Sequence, residues 1–185
     1  MSVGGVVLVG GRSRRFGSPK VDIPVGGETL LDRTRQVLVE ALGVEPLVVG
    51  GSGLADLRPG LGPLAGIETA LAAIDTDLAV VVACDMPGVT VSLVRLLATW
   101  DADADVLVPN VEGRRHPLCA RWHRRVLPHI REALDLDRRS VHALLEGLDV
   151  AEVGEEALRA AGLEPARALF NVNTPEDLRA FEAGG

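Results

Sequence analysis

The sequence predicts an α/β fold, a mostly parallel sheet with helices on both faces. Three observations lead there. Residues 6–9 (VVLV) and 78–84 are short, continuous apolar runs, the pattern of strands buried on both faces. Helical patterns with their own start and stop residues lie between such runs. The resulting order is strand, helix, strand, helix, strand, helix, and parallel neighbours require crossovers of that kind.

The first run, 6–9, ends in Gly10-Gly11 and reads as a buried parallel strand, with a loop over 10–20 behind it. Residues 29–42 form a helix: Leu30, Leu31, Thr34, Val37, Leu38 and Ala41 share a face, and Gly43 stops it. Residues 45–49 are the next strand. Residues 50–62, rich in Gly, are a loop, and Pro63 opens a helix running to about Ile74. The strand at 78–84 is followed by a helix that Thr90 caps and that reaches Trp100. Two further strands, 105–109 and 117–122, are expected around a turn at Glu112-Gly113. Helices at 123–134 and 140–146 follow, then an edge strand at 148–153, a short helix at 155–161 and a strand at 168–172. Thr174 caps the last helix, with Pro175 in its first turn and Asp177 at the capping-box spacing. No repeat, low-complexity tract or linker divides the 185 residues, so one domain over 1–185 is expected.

Composition excludes several classes. Hydrophobic residues make up 47% and charged residues 24%, which is a core-forming and not a disordered chain. The longest apolar run, 78–84, falls far short of the ~20 residues that span a bilayer. No basic residue precedes the first apolar stretch, so it does not read as a secretory signal, and a cytoplasmic protein is expected. A net charge of −7 argues against a general nucleic-acid or membrane-surface binder. Cys84 and Cys119 stand far apart with no CxxC, and the four histidines make no HExxH, so neither a zinc site nor a disulfide framework is expected. Eighteen of the nineteen basic residues are arginine. The single lysine, Lys20, supplies a compact, flexible point charge where arginine would present a planar fork.

Ligands of such sheets bind beyond the carboxyl ends of the strands. That directs attention to the loops after Val9, Val49, Cys84, Pro109 and Val172. The first reads Leu8-Val9-Gly10-Gly11-Arg12-Ser13-Arg14-Arg15-Phe16-Gly17-Ser18-Pro19-Lys20. Glycines let backbone N–H groups approach a ligand closely. Arg12, Arg14, Arg15 and Lys20 make the loop a positive funnel in an acidic protein, suited to a polyanion. Neither a Walker A loop nor a GxGxxG fingerprint fits it. Asp85 directly follows the clearest strand, so its carboxylate belongs at the same sheet edge.

The loop resembles the LxGGxSxRxGxxK signature of nucleotidyltransferases, and most of all the molybdenum cofactor guanylyltransferases. The resemblance continues in order along nearly the whole chain: Gly62-Pro63-Leu64-Ala65-Gly66 resembles GPLAG, and Cys84-Asp85-Met86-Pro87 resembles CDMP. Arg115-His116-Pro117-Leu118-Cys119-Ala120 is similar to the segment facing the pterin, and Asn171-Val172-Asn173-Thr174-Pro175-Glu176-Asp177-Leu178 to NVNTPEDL. It implies a three-layer, Rossmann-like nucleotidyltransferase fold and transfer of GMP from GTP to molybdopterin with release of pyrophosphate. It further implies Mg²⁺ as cofactor, held by Asp85, and Lys20, Arg15 and Asp85 as the catalytic groups. Leu8, Val9, Gly10, Gly11, Lys20, Asp56, Gly62 and Asp85 would bind the nucleotide. Asp56, six residues before Gly62, would accept hydrogen bonds from guanine. His116, Pro117, Asn171 and Asn173 would bind the pterin. Cofactor-delivery proteins or acceptor molybdoenzymes are the partners it suggests. Two departures stand out: residues 50–55 are short where relatives carry a longer stretch, and Val9 stands where they often have Ala. A CTP-dependent cytidylyltransferase of the same cofactor and a non-catalytic nucleotide- or pterin-binding adaptor are the alternative readings. Gly10-Gly11, in place of the Ala-Gly usual in the cytidylyl branch, favours guanine.

Overall fold

The computed structural model describes residues 2–10, 24–25 and 27–184. Gly11, Arg15 and Lys20 therefore lie outside the described residues, as do Arg12, Ser13 and Arg14.

The main sheet has seven strands. Strands β1 (Val3–Leu8), β4 (Leu47–Val49), β5 (Leu78–Ala83), β6 (Val106–Val111) and β9 (Val150–Gly154) share one direction, whereas β8 (Cys119–His123) and the two-residue β7 (Arg114–Arg115) run against it. The order across the sheet is β4-β1-β5-β8-β6-β7, with β9 on the other side of β6. A separate small hairpin joins β2 (Pro24–Val25) to β3 (Glu28–Thr29).

Alternation along the strands builds two cores. Val6 and Leu8 of β1 and Ala79 and Val81 of β5 face one layer, with residues of α2 (Pro63–Ala73), α4 (Leu127–Asp135) and α5 (Val141–Leu145). Val7, Val80 and Val82 face the other, with residues of α1 (Leu30–Leu42), α3 (Val91–Thr99) and α6 (Glu155–Ala160). Both faces of each central strand are covered, which is why these strands read as unbroken apolar runs. Each fully buried valine contributes about 1.5–3 kcal/mol.

The helix starts follow their caps. Thr29, Thr90 and Ser140 accept hydrogen bonds from the first turns of α1, α3 and α5. The final helix, α8 (Pro175–Ala183), carries the expected capping box between Thr174 and Asp177. The hairpin between β6 and β7 turns at Glu112-Gly113, both with positive φ (51° and 75°), the two-residue turn that matches strand twist.

Three differences from the sequence expectations have physical reasons. Strand β1 begins at Val3, three residues early. Gly4 and Gly5 weaken a strand reading, but a side-chain carbon on Gly4 would lie 2.3 Å from Ile74 Cδ1, so the glycine admits the end of α2. The segment 168–172 is not a strand. Glu164 caps a single helical turn, α7 (Pro165–Ala168), and irregular chain follows. A short apolar run alone does not separate a strand from a buried turn. The helix expected at 123–134 splits into a 3₁₀ turn (Arg124–Val126), capped by His123, and α4. Among the described residues no helix is long and apolar enough to cross a membrane.

Candidate active site

The end of β1 is the centre of the site. The Leu8 carbonyl accepts from the Cys84 N–H at 3.0 Å, and the Val9 N–H donates to the Val49 carbonyl at 2.7 Å. The chain leaving β5 is therefore fixed beside the chain leaving β1. Among the described residues no atom lies within 4 Å of where a side-chain carbon on Gly10 would sit.

Asp85 follows immediately, partly buried, in a turn held from several sides. Its carbonyl accepts from the Val172 N–H at 2.8 Å, and Arg33 Nε of α1 donates to the Pro87 carbonyl at 3.0 Å. A side-chain carbon on Gly88 would lie 1.9 Å from the Arg167 carbonyl oxygen, so the turn sits directly on α7. Among the described residues no group of three or more His, Cys, Asp or Glu could hold a metal ion. One rigidly placed carboxylate fits a hard cation that takes its remaining ligands from phosphates and water, and does not fit a closed all-protein metal centre. Both cysteines are buried, and burial pushes the Cys119 thiol up to about 12, so it is no nucleophile at neutral pH.

Asp56 lies on the opposite flank of Leu8. A side-chain carbon on Gly66 would meet Leu8 Cδ2 at 3.3 Å and Asp56 Oδ1 at 3.7 Å, so the carboxylate rests on bare helix backbone beside the end of β1. Partial burial raises its pKa from the ordinary carboxylate value. Gly62, the N-cap of α2, has φ 82° and ψ −166°, a region essentially restricted to glycine.

Next to Asp85 and Gly62 opens a cleft of about 290 Å³. Met86 and Pro63, the neighbours of those two residues, line it together with Arg114, His116, Pro117 and Asn171. Trp122 Nε1 donates to the Pro117 carbonyl at 3.1 Å from full burial, which fixes that wall. The His116 pKa is lowered, by burial first and then by the charges of Arg114 and His142. The cleft thus presents a neutral imidazole at pH 7 together with arginine. Arg115 also reaches it, but its guanidinium is tied to Glu152 at 2.6 Å and Glu146 at 3.3 Å.

The structure therefore brings Leu8, Val9, Gly10, Asp56, Gly62 and Asp85 to one sheet edge, and His116, Pro117 and Asn171 to the adjoining cleft. Asn173 is exposed and is not among the lining residues. Its N–H donates to Asp177 Oδ2 at 2.8 Å. Val172 between the two asparagines is fully buried, so both face outward as an extended segment would place them. Sequence reasoning missed Arg139, Ser140 and His142, which close the far side of the cleft. The signal present was a basic pair, Arg138-Arg139, directly before a capped helix.

The model of the MobA-like NTP transferase domain matches residues 5–153. A probable molybdenum cofactor guanylyltransferase of Chloroflexus aggregans is 33% identical, over 99% of this chain and 95% of that protein. One of Pelotomaculum thermopropionicum is 38% identical, over 94% and 89%. The crystal structure of molybdopterin-guanine dinucleotide biosynthesis protein A from Archaeoglobus fulgidus superposes with a TM-score of 0.82 at 29% identity, over 99% of this chain and 97% of that one. The chain belongs to the MobA-like NTP transferase family.

Proposed function

We propose that the protein is a molybdenum cofactor guanylyltransferase, acting as one nucleotidyltransferase domain over residues 1–185 in the cytoplasm, where a GTP-consuming enzyme meets its nucleotide. A terminal phosphate oxygen of molybdopterin attacks the α-phosphorus of GTP. The new P–O bond replaces the bond to the β-phosphate, and pyrophosphate leaves with the electron pair. The attacking oxygen is anionic near neutral pH, so no strong general base is needed, and catalysis rests on positioning and charge neutralisation.

The observation that carries the reading is that the Cys84-Asp85 turn and Asp56 both come to the end of β1 at Leu8, next to a cleft with arginine at its wall. In this reading Asp56 accepts the N1–H and 2-amino hydrogens of guanine, and the backbone at Gly10 and Gly11 cradles phosphates. Lys20 and Arg15 offset their charge. His116, Pro117, Asn171 and Asn173 hold the pterin, with Arg114 near its phosphate. Asp85 would hold Mg²⁺. Bound there, the cation supplies charge neutralisation on the reacting phosphate oxygens. Cofactor-delivery proteins or acceptor molybdoenzymes are the proposed protein partners.

The test is pyrophosphate release with molybdopterin and Mg²⁺, with GTP, CTP, ATP and UTP run in parallel. Release with GTP alone is expected. Release with CTP moves the function to the cytidylyl branch, and binding with no release from any nucleotide leaves an adaptor.

A further inference from the structure

The loop that carries Asp56 is short, yet three consecutive residues of it are docked against α2. Asp56 Oδ1 faces Gly66, 3.7 Å from where a side-chain carbon there would sit. The Leu57 N–H donates to Thr69 Oγ1 at 2.9 Å, and that hydroxyl donates in turn to the Ala65 carbonyl at 2.9 Å. Arg58 Nε meets Glu68 Oε2 at 3.1 Å, and Arg131 of α4 meets the other oxygen of the same carboxylate at 3.4 Å. Arg58 also reaches Asp135 at the end of α4. Thr69 is 1% exposed and Glu68 2%.

These contacts are an unusual choice for stability alone. Glu68 is buried while its arginine partners are half-exposed, and desolvating its carboxylate offsets much of their attraction. The directional contact is the Leu57–Thr69 hydrogen bond, which holds that backbone segment in one register, whereas Arg58 meets Glu68 as a charge contact without hydrogen-bond geometry. A carboxylate that reads a base edge needs such placement, because a small displacement lengthens both of its hydrogen bonds at once.

We infer that Thr69 and Glu68 are positioning residues for nucleotide selection, holding residues 57–58 on α2 so that the Asp56 carboxylate stands ready for the guanine edge. The inference rests on the reading that Asp56 contacts guanine. Thr69 carries the backbone half of the clamp and Glu68 the side-chain half, and neither touches substrate.

The test compares GTP with inosine triphosphate, which lacks the 2-amino group, in steady-state pyrophosphate release by the full chain. Thr69→Val removes the hydroxyl at nearly constant volume. It should raise KM for GTP about three- to tenfold, the worth of one hydrogen bond, with kcat retained. The preference for GTP over inosine triphosphate should fall by a smaller factor, because inosine triphosphate keeps the N1–H bond and is weakened too, and Thr69→Ser, which keeps the hydroxyl, should restore it. Arg58→Gln, on the partly exposed side of the clamp, should show the same split and carries the test if Thr69→Val does not fold. Asp56→Asn is the benchmark and should lose the preference. A preference left intact in Asp56→Asn overturns the reading of Asp56 and the clamp with it. A preference lost in Asp56→Asn but unchanged in Thr69→Val and Arg58→Gln overturns the clamp alone, as does a fall in kcat with the preference intact.

Discussion

On one side of the sheet, β4, β1 and β5 run parallel and each delivers the residues after it to the site edge: Gly50, Val9 and Asp85. On the other side β8 runs backwards between β5 and β6, and the residues before it, His116 to Leu118, reach that edge. The Ala83 N–H donates to the Leu118 carbonyl at 2.7 Å, which stitches the two sides together just before Asp85. The parallel side holds the proposed nucleotide groups and the reversed side the acceptor cleft. In the proposed reading, the reversal at β8 lets two ligands meet over one edge, each on its own part of the sheet. The side walls also differ in chemistry. The nucleotide side is set by backbone contacts and glycines, whereas the cleft is set by a buried tryptophan, a neutral histidine and arginines.

That division is open to attack by substitution. The largest effect is expected for Trp122→Ala, which empties a fully buried site and frees the Pro117 carbonyl. It should lower unfolding free energy by about 3–5 kcal/mol in urea titrations. In the folded fraction it should raise KM for the acceptor more than KM for GTP. Equal changes in both would mean that the two sides are not separate. Next comes Gly62→Ala, which forces a side chain into a glycine-only conformation at the start of α2. A destabilisation of about 1–3 kcal/mol is expected, with the KM change falling on GTP instead. An acceptor-only change would break the assignment.

The smallest effect concerns pH. The unfolded His116 protonates near its ordinary value of about 6.5, while burial and the neighbouring Arg114 and His142 hold the folded pKa below that. Between the two values the unfolded chain binds more protons, so stability is full above about pH 6.5 and is lost as pH falls toward the folded pKa. Tm should therefore decline on acidification through this window, and His116→Gln should flatten the decline. An unchanged slope would show that the imidazole does not sense the cleft.

The parallel side was readable from the chain because its signals are local. Unbroken apolar runs give β1 and β5, Thr29 and Thr90 mark helix starts, and Asp85 stands one residue past a strand end. The reversed side was less so. The Glu112-Gly113 turn signals locally that the chain reverses before β8, but nothing local tells that β8 inserts between β5 and β6, which is decided by pairing across the sheet. Arg139, Ser140 and His142 reach the cleft only because α5 packs beneath it, a contact across more than twenty residues from His116. The error at 168–172 has the same origin: Ala168, Leu169 and Val172 are buried by tertiary packing, and the short apolar run Ala168-Leu169-Phe170 imitates a strand. Pro165 and the capping Glu164 were the local clues to a helical turn.

The contact between Val9 and the turn after β4 bears on how this sequence can change. A side-chain carbon on Gly51 would lie 2.8 Å from Val9 Cγ1, and one on Gly50 would lie 2.0 Å from the Val9 carbonyl oxygen. Residues 9 and 51 therefore share one small volume. Trimming Val9 to Ala relieves the contact at 51 but not the positive φ of 60° that a side chain there would adopt, whereas enlarging Gly51 first also drives that side chain into the valine. The two substitutions are not interchangeable in order, and the path by which a lineage gains or loses a valine here passes through glycine at position 51.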